Sequence, residues 1–126
     1  MIHAAIRHLP DGELAVMQAL WNCKLPASRR DMEVLLADTH PMAATTLLTI
    51  LTRLSEKGFL TIEKQGRTAL YTPTVSREAY LAAQGDRFFH QLCGGSLPAF
   101  ASALCDSGLT REELEQLRQL LDRGDL

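Results

Sequence analysis

The feature that most constrains this chain is a change of hydrophobic period at Gly58. Upstream, Leu47, Ile50, Leu51 and Leu54 recur at i, i+3, i+4 and i+7, which predicts a helix within 43–57 that turns one apolar stripe to a core. Downstream, 59–64 and 67–72 alternate apolar with polar residues around Gln65-Gly66, the pattern of a two-stranded hairpin. Gly58 is the expected helix stop between them. Pro73 has no N–H to give a ladder and ends the second strand.

Two shorter helices precede this unit. Pro10-Asp11-Gly12-Glu13 leads into Leu14, Met17, Leu20 and Trp21, predicting a helix over about 11–23 capped by Asp11, with Glu13 favourable in its first turn. Lys24-Leu25-Pro26-Ala27 interrupts it, and Ser28 with Asp31 resembles a capping box for a helix running to about 38. Thr39-His40-Pro41 breaks that helix, because proline disfavours helical geometry at the residue before it.

Beyond the hairpin the chain reads as helical. Ser76 caps a fourth helix that carries Tyr80, Leu81, Phe88, Phe89 and Leu92 and stops at Gly94-Gly95. A fifth, over 96–106, places Leu97, Phe100, Ala101 and Leu104 at helical spacing, with Pro98 tolerated in its first turn. Thr110 and Glu113 form a full capping box for a sixth, whose apolar face is Leu114, Leu117, Leu120 and Leu121. The fold class expected is therefore mainly α with a small β-hairpin: a winged helix-turn-helix over 1–75 and a helical dimerisation and regulatory tail over 76–126.

Charge first argues against a nucleic-acid partner and then locates one. The net charge of the 126 residues is −2, whereas nucleic-acid-binding domains are usually basic. Residues 1–75 hold eight Lys and Arg against seven Asp and Glu, a net +1, while 76–126 hold five against eight, a net −3. The acid excess belongs to the tail, and the cations of the first part gather at 29–30 and 53–67, where local sign outweighs the sum. No apolar run approaches the roughly 18 residues of a membrane span, so no membrane insertion is expected. The first nine residues lack the apolar stretch of a secretory signal, and Cys23, Cys93 and Cys105 form neither a disulfide framework nor a CxxC pair. A cytoplasmic location is expected.

Three helices followed by a hairpin is the order of a winged helix, in which the helix before the hairpin enters the DNA major groove. On the polar face of that third helix stand Thr45, Thr49, Thr52 and Glu56, flanked by Thr46, Leu48 and Arg53. Threonine has low helix propensity, and its hydroxyl and methyl suit phosphates, base edges and thymine methyls. Sequence readout is expected at Thr45, Thr46, Leu48 and Thr49, with Arg53 beside them. Lys64 and Arg67 flank the hairpin tip and are expected on phosphates, as are Arg29 and Arg30 in the first turn of the second helix. Tyr80, Phe88, Phe89, Leu97, Phe100, Leu114, Leu117 and Leu121 are the expected dimerisation residues.

These residues resemble the BlaI/MecI/CopY penicillinase-repressor family of winged-helix regulators over about 9–121. The carriers are Leu9-Pro-Asp-Gly-Glu-Leu-Ala-Val-Met17 leading to Leu20-Trp21, Thr45-Thr46-Leu47-Leu48-Thr49 with Leu51, Arg53 and Leu54, Lys57-Gly58, the wing Gly66-Arg67 with Tyr71-Thr72-Pro73, and the tail pattern Gly95-Ser96-Leu97 with Leu109-Thr110, Glu113 and Leu114. The resemblance implies a homodimer that represses transcription on a palindromic double-stranded DNA operator. It also implies control, in beta-lactamase-type members through a membrane receptor-protease that triggers cleavage of an Asn-Phe bond in the tail, in copper-type members through a C-terminal CxC…CxC motif. This chain has Ser102-Ala103 where Asn-Phe would fall and has no CxC, so it departs from both.

Three rival readings have residues of their own. Cys93 and His90, one helical turn apart, with Cys105, would serve a redox or metal-responsive regulator. Cys93 as nucleophile with His90 as base would serve an enzyme, yet no orienting acid, oxyanion donor or cofactor loop accompanies them. The third is a protein-interaction winged helix without DNA binding. Cysteine is often a small buried hydrophobe, and His3, His8 and His40 read as terminal or loop residues. No cofactor, no metal site and no catalytic residue are expected.

Overall fold

The computed structural model describes residues 6–124, so His3 and most of the 1–9 segment lie outside the described residues. The described chain separates into two compact units that meet between Gln84 and Gly85.

The first unit begins with three helices, α1 (Asp11–Trp21), α2 (Arg29–Thr39) and α3 (Ala44–Glu56). The cap of α1 differs from expectation: Pro10 occupies the N-cap position without a side-chain bond, and Asp11 is the first helical residue. The cap of α2 is as the sequence predicts, with Ser28 and Asp31 exchanging hydrogen bonds of 3.0 and 3.2 Å. Helix α3 buries Leu47, Ile50, Leu51 and Leu54. It closes in a Schellman motif: Gly58, at φ +82°, donates its N–H to the Ser55 carbonyl, and the Phe59 N–H donates to that of Leu54. Leu54 and Phe59 are both buried, so the motif also aims the chain into the strand that follows.

The hairpin pairs Leu60–Gln65 with Thr68–Pro73 in antiparallel register, Ile62 opposite Tyr71 and Gln65 opposite Thr68. The turn is therefore Gly66-Arg67, one residue later than the alternation suggests. Gly66 takes φ +65° and Arg67 stays at negative φ, the sign pattern of a type II′ turn. A further strand of two residues, Ala27–Ser28, pairs with Leu70 and Tyr71 on the open edge, giving a three-stranded sheet. With these strands numbered β1 (Ala27–Ser28), β2 (Leu60–Gln65) and β3 (Thr68–Pro73), the order is β1-β3-β2. Strand β1 is too short to leave a periodic trace in the sequence.

The unit's core joins the helical stripes to the sheet, with Leu9, Met17, Leu20, Met32, Leu51, Leu54, Phe59 and Leu60 almost wholly enclosed. Tyr80 belongs to this core and not to the tail's apolar surface, which corrects its expected place among the dimerisation residues. It sits on the fourth helix, α4 (Arg77–Arg87), is 3% exposed and packs against Trp21 and Phe59 at ring-centroid distances of 5.8 and 6.1 Å. Trp21 Nε1–H donates to the Val75 carbonyl at 2.9 Å, a second tie on the segment leading to α4. The first two turns of α4 are thus part of the first unit, and the compact division falls nine residues beyond the 75/76 division that the hairpin's end suggests.

In the second unit α4 ends in a π-helical turn, Phe88–Leu92, where the Cys93 N–H reaches the Phe88 carbonyl. Helices α5 (Leu97–Asp106) and α6 (Arg111–Arg123) follow, capped by Ser96 and by the Thr110–Glu113 box. Phe100 meets Phe88 and Phe89 edge-on, with centroids 5.6 and 5.7 Å apart. Among residues 85–124 none is buried.

Candidate nucleic-acid interface

Packing its four core leucine and isoleucine residues inward leaves α3 with Thr45, Thr46, Leu48, Thr49, Thr52 and Arg53 exposed. The chain turns through 111° between α2 and α3, within the range of helix-turn-helix pairs. Two of the threonines bond to their own helix: the Thr49 hydroxyl donates to the Thr45 carbonyl and that of Thr52 to the Leu48 carbonyl, both at 3.0 Å. Each hydroxyl then keeps its lone pairs for an incoming donor and a methyl group beside them.

The pairing of β1 with β3 brings the cations together. By holding Ala27 and Ser28 against Tyr71 and Leu70, it fixes the start of α2 beside the wing. Ser28, Arg29, Arg30, Leu48, Arg67, Thr68 and Tyr71 then line one open groove. Four of the expected contact residues, Arg29, Arg30, Leu48 and Arg67, meet there from three separate elements. Thr45, Thr46, Thr49 and Arg53 are exposed on α3, and Lys64 is exposed near the end of β2; these do not line that groove. Sequence reasoning missed Ser28 and Thr68 as lining residues of this groove. The signal that would have found them is β1, and two residues of strand carry no period.

The groove's charge is local. Three guanidinium groups line the groove; of the neighbouring carboxylates, Glu33 lies 3.4 Å from Arg29 Nε and Asp31 is held by the Ser28 N–H at 3.0 Å. Burial pushes the Tyr71 phenol above its ordinary value, and the Arg29 charge pulls it partly back. The site therefore stays cationic at neutral pH.

A part-buried pair sets the other end of α3. Glu13, 7% exposed on α1, accepts a hydrogen bond from Lys57 Nζ at the C-cap of α3. This gives Glu13 and Lys57, both motif residues, a structural role: each is the other's counter-charge.

The second unit presents apolar side chains to its surroundings. Leu97 is 69% and Leu121 58% exposed, while Phe88, Phe89, Phe100, Leu114 and Leu117 are half-buried. Cys93 is half-buried, Cys105 is exposed, and His90 faces Asp86 at 3.2 Å. Among the described residues no three His, Cys, Asp or Glu side chains converge as metal ligands, and no single helix is long and apolar enough to cross a membrane.

The chain is similar to several known proteins. The penicillinase repressor family matches residues 9–123. The penicillinase repressor of Bacillus licheniformis is 31% identical over 120 residues, covering 93% of this chain and 91% of that protein. The transcriptional regulator BlaI of Mycobacterium tuberculosis is 32% identical over 79 residues, 63% of this chain and 57% of that one. Among solved structures, monomeric BlaI of Bacillus licheniformis in complex with the blaP half-operator superposes with a TM-score of 0.50 at 32% identity, covering 60% of this chain and 90% of that one. The DNA-binding domain of the repressor BlaI gives the same score and identity over 58% and 88%. With the three helices, the wing and the tail all inside the matched span, the chain belongs to the penicillinase repressor family.

Proposed function

We propose that this protein is a homodimeric transcriptional repressor that holds a palindromic DNA operator in the cytoplasm, with α3 in the major groove and the Lys64–Arg67 wing on the backbone. The observation that carries this reading is the groove that gathers Arg29, Arg30 and Arg67 beside Leu48 of α3. Cations at a helix N-terminus and a hairpin tip position a protein on phosphates, and the helix between them reads bases. The relative solved in complex with its half-operator supports operator DNA as the partner. The exposed apolar faces of α5 and α6 support a second copy as the tail's partner, since a dimer places two recognition helices on two half-sites. This use of the chain requires no cofactor and no catalytic residue, and it leaves Cys93 and His90 without an enzymatic role.

Control by a membrane receptor-protease remains part of the proposal at the level of the pathway only. Ser102 and Ala103 lie inside α5, where the backbone is hydrogen-bonded and a protease would need local unwinding. The deciding experiment is titration of duplexes selected from random DNA. Arg67→Glu is expected to weaken binding to every selected duplex and to lower the salt slope, whereas Thr49→Ala changes which base is preferred. Unchanged titrations for both would return the fold to a protein-interaction role.

A further inference from the structure

The first two turns of α3 are unusual for a helix that reads bases. From Ala44 to Ile50 they expose Ala44, Thr45, Thr46, Leu48 and Thr49, with no arginine, lysine, asparagine or glutamine among them. Guanine is most often read by two-pronged Arg or Lys contacts and adenine by Asn or Gln. The first such side chain on α3 is Arg53, more than two turns from its start. The Thr49 and Thr52 hydroxyl protons are already donated within the helix, so these residues meet an operator with an acceptor and a methyl group.

Leu48 completes the pattern. It is 39% exposed, it is the one large apolar side chain on the exposed face of α3, and the hydrophobic core does not include it. It lines the groove beside Arg29, Arg30 and Arg67. An isobutyl group in that setting fits one feature of the major groove, the 5-methyl of thymine.

Resting on the operator-binding reading above, we propose that the tip of α3 selects thymine through its 5-methyl group, with Leu48 as the specificity-determining side chain. Cytosine, which has no such methyl, is rejected by loss of apolar contact and not by a clash.

The test uses the full-length protein and duplexes it selects from random DNA. Each thymine of a selected half-site is replaced in turn by deoxyuridine, which removes the methyl and keeps the base pair. At one or two positions the wild-type Kd is expected to weaken about fourfold, the effect of exposing one methyl group. Leu48→Ala is expected to bind thymine and deoxyuridine equally there, with its salt slope unchanged, and Leu48→Arg to re-select guanine at that position. Selection that succeeds but shows no deoxyuridine-sensitive position, or a Leu48→Ala variant that keeps the full penalty, overturns the thymine reading and leaves operator binding standing. Failure to select any duplex removes operator binding and the thymine reading with it.

Discussion

The backbone N–H of Leu9 donates to the Tyr80 hydroxyl at 3.0 Å across 71 residues of sequence, joining the segment before α1 to α4 inside the first unit's core. Leu9 is fully enclosed, so its N–H has no water to turn to. Tyr80→Phe keeps the ring against Trp21 and Phe59 and removes only the acceptor. It is expected to lower unfolding stability by about 1–2 kcal/mol, the cost of one unsatisfied buried donor. Urea denaturation measures this, and sedimentation of the same variant should show an unchanged mass, because Tyr80 faces the core and not a second copy.

The Glu13–Lys57 pair gives a larger effect. Lys57→Met leaves a carboxylate 7% exposed without its counter-charge, and a loss of about 2–4 kcal/mol is expected. Glu13→Gln, which keeps a hydrogen-bond acceptor for Lys57, should cost less than half of that. In a double-mutant cycle the loss in the combined Glu13→Gln, Lys57→Met protein should fall well below the sum of the single losses. Additive losses would mean that the pair contributes nothing as a pair.

Alkaline stability follows from two weak acids, Cys23, which is partly buried, and Tyr71, which is buried. Burial raises the Cys23 thiol above its ordinary value, with the Asp31 charge adding to the shift, and burial also raises Tyr71 against the opposing pull of Arg29. For both groups the folded state holds its proton longer than the unfolded chain does. Their contribution is complete below the unfolded values of about 8.5 and 10 and is lost as pH rises through the folded ones. Stability measured by denaturation should therefore fall above about pH 9. Cys23→Ala should flatten the lower part of that fall and Tyr71→Phe the upper part.

How far the sequence reaches can be seen at particular residues. The stripe of α3, the stop at Gly58, the Ser28 and Thr110 boxes and the wing are all local patterns, and each appears where its period or cap chemistry places it. Three features depend on pairing or packing between elements and could not be read that way. Strand β1 exists because β3 offers it an edge, the Gly66-Arg67 turn is set by the pairing register, and Tyr80 is claimed by a pocket built from Trp21, Phe59 and Leu9. The candidate site shows the same division. Its members were legible one by one, but the convergence of Arg29, Arg30 and Arg67 on Leu48 depends on β1.

The apolar face of α6 makes a prediction about mass. Leu117 and Leu121 lie on one face of α6, with Leu121 58% exposed. A charged residue in place of each would put two uncompensated charges into an apolar interface, at several kcal/mol for a desolvated pair. Sedimentation equilibrium of the parent protein is expected to report a dimer and that of Leu117→Glu, Leu121→Glu a monomer, with the urea transition of the first unit unchanged. Retention of the dimer would move the interface to the Phe88–Phe100 side of the tail.

Arg29 is held between two anions, one in the protein and one expected in the operator. Its Nε lies 3.4 Å from Glu33 one turn along α2, and the two side chains are 45% and 36% exposed. A pair so solvated is worth about 0–1 kcal/mol, less than a guanidinium gains on a phosphate at a helix N-terminus. Glu33 therefore opposes binding twice: it competes for Arg29, and its charge repels the backbone that the groove would receive. Glu33→Gln is expected to tighten binding to a selected duplex by about two- to fivefold at roughly 0.1 M salt, with the gain shrinking as salt screens both effects. Arg29→Gln should weaken the same duplex and reduce the slope of log K against log salt by about 0.9, the release of one counterion. If Glu33→Gln leaves affinity unchanged and Arg29→Gln leaves the slope unchanged, Arg29 does not touch the operator, and the phosphate contacts fall to Arg30 and the wing.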